Sequence, residues 1–462
     1  MNAKMSEYLD KLKGKRIAVI GIGISNTPLI KLLLKNGCSV TACDKKSRSH
    51  FGGLTEELEG LGAELRLGEN YLDGLDHDII FRTPGMRPDV PQLLEAVSRG
   101  AEISSEMEAF FEVCPCNIVA VTGSDGKTTT TTIISELLKA SGRRVYLGGN
   151  IGTPLFSLAG GMEKDDWAVL ELSSFQLMTM KRSPHIAVVT NLAPNHLDYH
   201  KSMDEYIEAK ENIFRYQSAE DLLVLNACNE ITNGFKNTAR GLIRMFSING
   251  GLEDGVFFDG GAIVRAKEGK TTEIIKAGDI KLPGLHNIEN FMAAFAAVGD
   301  IVGYDICRKV TMEFAGVEHR IELVRELRGV SYYNDSIASS PSRTIAGLRS
   351  FKKKVILIAG GYDKNISYDE LGPEIVRHVK TLVLTGNTAL KIRAATEKAP
   401  EYTEGNPAIM QIEDFGDAVR AAAGVAKEGD IVILSPASAS FDRFKNFAER
   451  GETFKKIVNE LE

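Results

Sequence analysis

A chain of 462 residues is long enough for about three domains at roughly 150 residues each, and 43% hydrophobic with 25% charged content is globular. Its 62 acidic and 55 basic residues leave a net charge of −7, which argues against broad nucleic-acid binding and leaves small anionic ligands open. The polar start MNAKMSEYLDKLKGKR, the lack of any long apolar run and six cysteines without a C-x-x-C pair predict no signal peptide, no membrane span and reduced thiols in the cytoplasm.

Lys15 to Ile24, KRIAVIGIGI, reads as a buried strand ending in Gly21-x-Gly23, followed by a helix carried by Leu29, Leu32 and Leu33. Ser39 to Cys43 is the next strand, with Asp44 placed where an acid meets a ribose hydroxyl in dinucleotide folds. Asn26 replaces the third glycine of that fingerprint, so a Rossmann-like domain that takes a nucleotide diphosphate on the Gly21 to Ser25 turn fits better than a nicotinamide dehydrogenase. Asp78 to Phe81 then runs into Thr83-Pro84-Gly85, again at a strand end where ligands of open α/β sheets collect.

The middle region opens on Asn117 to Ile134, NIVAVTGSDGKTTTTTII. The β-branched run Ile118 to Val121 reads as a strand, Gly123-Ser124-Asp125-Gly126 as a turn, and Lys127 as a helix start. Successive backbone N–H groups, the helix N-terminus and the Lys127 ammonium suit a triphosphate, and Thr128 offers a hydroxyl to Mg²⁺. Threonine costs up to roughly 0.7 kcal/mol relative to alanine in a helix, so five in the first turns point to local chemistry. Trp167 to Leu172 is a buried strand with Glu171 near its end; a metal beside the phosphate loop, or a salt bridge to a surface lysine, would compensate it. After the strand Ile186 to Leu192, His196 reads as a single metal ligand or a helix cap, since Leu197 rules out H-E-x-x-H. Asp204 to Phe214 reads as a helix in which Lys210 falls on the apolar stripe with Tyr206, Ile207, Ile213 and Phe214. Snorkelling to water is the default for such a lysine, and an uncharged or modified amine is the alternative. Asp221 to Leu285 looks like short strands with Asp259-Gly260 as a hairpin turn; Leu285-His286-Asn287-x-x-Asn290 then opens an alanine-rich helix, Phe291 to Val298.

From His319 onward, three strands end in polar loops: Val330 to Tyr333 before Asn334-Asp335-Ser336, Val355 to Ala359 before Gly360 to Lys364, and Ile431 to Leu434 before Ser435 to Ser440. Their alternation with helical stretches predicts a parallel sheet covered by helices and a second ligand site.

Taken together these motifs resemble the Mur ligases, ATP-dependent amide-forming enzymes of cytoplasmic peptidoglycan precursor synthesis. The resemblance runs from Gly21 to Phe447, and Thr122 to Thr129 is similar to the family's phosphate loop. It implies an α/β fold of three domains. These are a Rossmann-like domain over 1–113, a central phosphate-loop ATPase-like parallel-sheet domain over 114–317 and a Rossmann-like domain over 318–462. The stretches Glu171-Leu172-Ser173-Ser174-Phe175-Gln176-Leu177 and Leu434 to Gly451 are similar to the branch that adds D-glutamate. The implied substrates are then UDP-N-acetylmuramoyl-L-alanine, D-glutamate and ATP, and a monomer is expected.

Residue by residue, the resemblance implies that Gly123, Ser124, Asp125, Gly126, Lys127, Thr128 and Thr129 cradle the ATP phosphates. Asn287, Asn290, Arg320 and Asp335 would make the remaining ATP contacts. Thr128 and Glu171 would hold one Mg²⁺, and His196 with a carbamylated Lys210 a second; Lys127, His196 and Lys210 are the catalytic expectations. Gly23, Ile24, Ser25, Asp44, Lys45, Thr83 and Gly85 would seat the uridine nucleotide, Asn150 the peptide carboxyl end, and Lys364, Ser440 and Phe447 the amino acid. Ile337 stands where many relatives carry lysine, with Arg343 as the nearby cation. Other readings are a folate polyglutamate ligase of the same chemistry and a phosphate-loop nucleotide switch.

Overall fold

The computed structural model describes residues 2–194, 199–282, 284–363 and 366–462. Among the described residues there are three sheets, whose central strands are the short apolar runs that burial on both faces requires. The first is parallel, in the order Glu64–Leu67, Ser39–Asp44, Arg16–Ile20, Ile79–Phe81, Glu102–Ser104. Strand order reverses between Arg16–Ile20 and Ile79–Phe81, so the Gly21 turn and the Thr83 turn leave the sheet side by side.

The central sheet has nine strands, and Asn117–Thr122 lies inside it between Trp167–Glu171 and Ile186–Val189. Pairing is parallel from Val145–Gly149 across to Gly255–Asp259, and the last two strands, Ala262–Lys267 and Lys270–Lys276, are antiparallel hairpin additions. The expected Asp259-Gly260 turn is the first of those hairpins. In the third sheet Val330–Asn334, Ile431–Leu434, Val355–Ala359, Val379–Leu384 and Ala408–Gln411 run parallel, with Glu322–Leu327 antiparallel on the edge.

The chain forms two compact units, one of residues 1–279 and 286–312, the other of residues 280–285 and 313–462. The first unit holds two sheets over one continuous apolar core, in which Met5, Leu9, Phe110 and Phe111 join Leu155, Phe156, Leu170 and Leu223. The expected boundary near residue 113 falls between these two sheets, and the first has a further apolar cluster of its own on Ala18, Ile20, Ile80 and Leu93. In the second unit the sheet is covered on both faces, by Leu348, Leu371 and Ile375 on one side and Phe415, Val419 and Phe454 on the other.

Helices place the polar residues of interest. Lys127–Ala140 starts at the glycine turn, and Met203–Arg215 is capped by the Ser202 side chain on the Glu205 N–H. Leu285–Val302 begins two turns before the alanine-rich stretch, so Asn287 and Asn290 are helical and share one face, three residues apart. Among the described residues no helix is long and apolar enough to cross a membrane.

Candidate active site

The phosphate loop is held by contacts from one neighbouring strand end and two helices. Gly123 (φ 153°) and Gly126 (φ 76°) adopt backbone that side chains rarely reach; a Cβ on the first would strike Thr190 Oγ1 and on the second Asn290 Oδ1. Ser124 donates its N–H to the Asn191 carbonyl and pairs its hydroxyl with the Tyr206 hydroxyl, 2.9 Å away. Asp125 N–H donates to Asn191 Oδ1 at 3.0 Å, and Thr190 Oγ1 donates to the Asp125 carbonyl at 2.6 Å. Lys127 Nζ folds over the loop onto the carbonyls of Gly123 and Ser124, at 2.9 and 3.0 Å. Thr130 Oγ1 donates to Asn290 Oδ1, whose amide in turn reaches Asn287 Oδ1. Both asparagines thus stand behind the loop. Thr131 and Thr132 turn back onto the Lys127 and Thr128 carbonyls, which leaves Thr128 as the threonine facing the strand end.

Glu171 closes the other side. It is 2% exposed, and its carboxylate oxygens accept from Thr128 Oγ1 at 2.6 Å and Asn150 Nδ2 at 2.7 Å. These neutral donors, not a surface lysine, are its partners. Asn150, expected at the peptide carboxyl end, donates to Glu171 at the edge of this site.

Lys210 does not snorkel. It is 2% exposed, and its amine donates to Thr122 Oγ1 at 3.0 Å and the Gly123 carbonyl at 2.9 Å. Burial, reinforced by the Lys127 charge, holds its pKa well below the ordinary amine range, against the opposing pull of Glu171 and Asp125. The Thr128 hydroxyl and the Glu171 carboxylate, side by side, are oxygen donors of the kind that hard divalent cations take. His196, the remaining expected ligand, lies outside the described residues. Its neighbour in the motif, His200, is buried with Nε2 2.9 Å from Ser174 Oγ and Nδ1 3.4 Å from Glu205.

In the first sheet, Asp44 is a structural anchor for the glycine turn: its oxygens accept from the Ile22 and Lys46 N–H groups at 2.8 and 2.9 Å. Asn26, in place of a third glycine, donates to the Ile20 carbonyl at 2.9 Å. Gly23, Ile24 and Lys45 are exposed, Ile24 to 85%, while Ser25 and Thr83 are half-buried; Thr83 packs against Gly21 across the strand-order reversal, with exposed Gly85 two residues on.

The second unit carries the remaining expected residues, except that Lys364 lies outside the described ones. Asp335 is buried, accepts from Ser435 Oγ at 2.7 Å, and is pushed up to about 7 by desolvation that Ser435, Arg320 and Arg343 only partly offset. Arg343 Nη1 donates to the Ile337 carbonyl at 3.2 Å, so a cation does stand at the turn that lacks lysine. Ser440 is buried, and Phe447 is 38% exposed with its carbonyl held by Ser336 Oγ at 2.7 Å. Arg450, absent from the expected site, is buried and ties these loops together through Ser336, Ser438 and Ala439.

A glycine turn, lysine and threonine at the C-terminal end of a central parallel strand, with a carboxylate one strand away, define a phosphate-loop nucleotide-binding enzyme site. The chain belongs to the Mur ligase family. Residues 121–298 match the family described as Mur ligase middle domain, and residues 319–438 that described as Mur ligase, glutamate ligase domain. It is 56% identical to the UDP-N-acetylmuramoylalanine–D-glutamate ligase of Acetivibrio thermocellus and 52% identical to that of Ruminiclostridium cellulolyticum, covering all of both chains in each comparison. Its fold is similar to MurF from Acinetobacter baumannii (TM-score 0.62, 15% identity, 98% of each chain). It is also similar to UDP-N-acetylmuramate-alanine ligase from Thermotoga maritima (TM-score 0.56, 20% identity, 96% of this chain and 99% of that one).

Proposed function

We propose that the chain is an ADP-forming ligase that joins D-glutamate to UDP-N-acetylmuramoyl-L-alanine in peptidoglycan precursor synthesis. The observation that carries this reading is the meeting of Lys127, Thr128, Glu171 and the buried Lys210 at neighbouring strand ends, in a chain that aligns end to end with D-glutamate ligases. A carboxylate is a poor electrophile, so the L-alanine carboxylate first takes the γ-phosphoryl group of ATP, giving an acyl phosphate and ADP. The free amine of D-glutamate then attacks the acyl carbon, and phosphate leaves from the tetrahedral adduct.

Positioning and charge stabilisation carry most of a phosphoryl transfer. In this reading Lys127 swings from the loop carbonyls to the transferring group, and the loop N–H groups hold the phosphates. Thr128 and Glu171 would hold one Mg²⁺, and His196 with a Lys210 carbamate a second; magnesium supplies neutralisation of phosphate charge. Asn287, Asn290, Arg320 and Asp335 are the further proposed ATP contacts. Thr83, Gly85 and the Gly23 to Ser25 turn with Asp44 and Lys45 are proposed for the sugar nucleotide, and Lys364, Ser440 and Phe447 for D-glutamate. A monomeric, cytoplasmic enzyme completes the proposal.

Release of ADP from Mg-ATP and UDP-N-acetylmuramoyl-L-alanine, compared across both enantiomers of glutamate, tests the reading. Turnover that depends on the D-enantiomer is expected, and Lys127→Ala should lower it by about a hundredfold or more with the fold intact. ADP release indifferent to acceptor and enantiomer would remove the assignment.

A further inference from the structure

Away from the phosphate loop, a line of polar contacts joins the first sheet to the central one inside the first unit. It begins at the turn Thr83–Arg87, which follows strand Ile79–Phe81. Arg82 is fully buried and holds this turn from within: Nη1 donates to the carbonyls of Thr83 at 3.3 Å, Pro84 at 3.2 Å and Met86, while Nη2 reaches Thr179 Oγ1 at 3.1 Å and the Phe175 carbonyl at 3.5 Å. Thr179 and Phe175 follow directly on the segment after Glu171.

Arg87 holds the far end of the turn. Its guanidinium donates to both carboxylate oxygens of Glu205, at 3.0 and 2.8 Å, to Asp89, and to the Tyr199 carbonyl at 2.6 Å. It also lies 5.4 Å above the Tyr199 ring. Glu205 stands in the first turn of helix Met203–Arg215, the helix that carries Lys210, and its Oε2 faces His200 Nδ1 at 3.4 Å. His200 continues to Ser174 Oγ at 2.9 Å and stacks on Phe175 at 5.7 Å, which returns the line to the segment gripped by Arg82. Arg87 and Glu205 keep only 20% and 23% of their side chains exposed, so this pair is bidentate and largely shielded, unlike the exposed pairs that contribute little.

We propose that Arg87, Glu205 and His200 are positioning residues for the acceptor, locking the Thr83–Arg87 turn to the Lys210 helix and to the segment after Glu171. The assignment rests on the functional reading above, which gives that turn to the sugar nucleotide. The Arg87 charge is already matched by Glu205 and Asp89, so its part is to fix the turn and not to bind an anion. The phosphate loop keeps supports outside this line, from Thr190 and Asn191, beside the one from Tyr206.

The test compares the full-length wild type with Arg87→Ala, the isosteric Glu205→Gln, the double variant and Arg87→Lys. Binding of UDP-N-acetylmuramoyl-L-alanine and of ATP is measured separately by calorimetry, alongside steady-state constants and thermal midpoints. A loosened turn should raise the acceptor's constants about ten- to a hundredfold in each single variant, with ATP constants close to wild type; loss of the shielded pair lowers the midpoint, and both constants are read well below it. The double variant should be no worse than the poorer single one, because both remove one contact, and Arg87→Lys should recover part of the loss. Unchanged acceptor constants, a parallel rise for ATP and acceptor, or multiplicative losses in the double variant would overturn the assignment alone. A wild type that neither binds nor turns over the acceptor would overturn the functional reading and this assignment with it.

Discussion

Lys210 is a lysine whose amine meets neutral oxygens and a second lysine where a surface residue would meet water. Its place on the apolar stripe was legible in the sequence, because tyrosine, isoleucine and phenylalanine recur around it at helical spacing. What the stripe could not decide was whether the stem would carry the charge outward. The structure answers that with the Thr122 hydroxyl and the Gly123 carbonyl, which belong to a strand 88 and 87 residues away. The chemical consequence follows from the direction of the shift. A neutral amine has the lone pair needed to attack CO₂, and protonation removes it, so acid competes directly with carbamate formation. Activity in CO₂-stripped buffer should therefore fall, bicarbonate should restore it, and the bicarbonate needed should rise as the pH is lowered. Initial rates across a bicarbonate series at several pH values check this, and carbon-13 bicarbonate should give a carbamate resonance that Lys210→Ala lacks. Rates indifferent to bicarbonate throughout would take the carbamate out of the account.

At the scale of elements, strand Asn117–Thr122, its glycine turn and helix Lys127–Ala140 form the part read most completely, since β-branched content, glycine placement and the lysine each constrain backbone or charge independently. The strand ends at Glu171 and Asp335 were legible for the same reason: a carboxylate closing an apolar run has to find a partner. Those partners were not legible. Asn150 on Glu171 and Ser435 on Asp335 are pairings made by sheet order, and Arg87 with Glu205 spans 118 residues. Nor was the approach of Asn290, on helix Leu285–Val302, to Gly126. That approach carries a prediction. Gly126→Ala would need a left-handed alanine whose methyl meets Asn290 Oδ1, so the turn should open and nucleotide affinity should fall by about tenfold or more, with a loss of about 1–3 kcal/mol in stability. Gly23→Ala, where a Cβ meets no atom within 4 Å, should leave stability close to wild type. Equilibrium denaturation and nucleotide titration of the two variants side by side separate the effects; equal behaviour would mean that the Asn290 contact does not shape the loop.

On the scale of the molecule, each unit has its own apolar core, and the phosphate loop, Glu171 and Lys210 all belong to the first. Two units with separate cores should unfold in separable steps, and the chain supplies a selective reporter. Trp167 is its single tryptophan and starts the strand that ends at Glu171, so its fluorescence follows the first unit while far-ultraviolet circular dichroism follows both. A ligand that binds only folded protein stabilises it by about 2.7 kcal/mol at a hundred times its Kd. A non-transferring ATP analogue at that excess should shift the tryptophan transition to higher denaturant by this amount. The part of the dichroism change not shared with tryptophan should move less, and Lys127→Ala should abolish the shift. Coincident transitions by both probes, with and without nucleotide, would mean that the two cores unfold as one cooperative system. A nucleotide shift confined to the second transition would mean that the energy-yielding site is not on the central glycine turn.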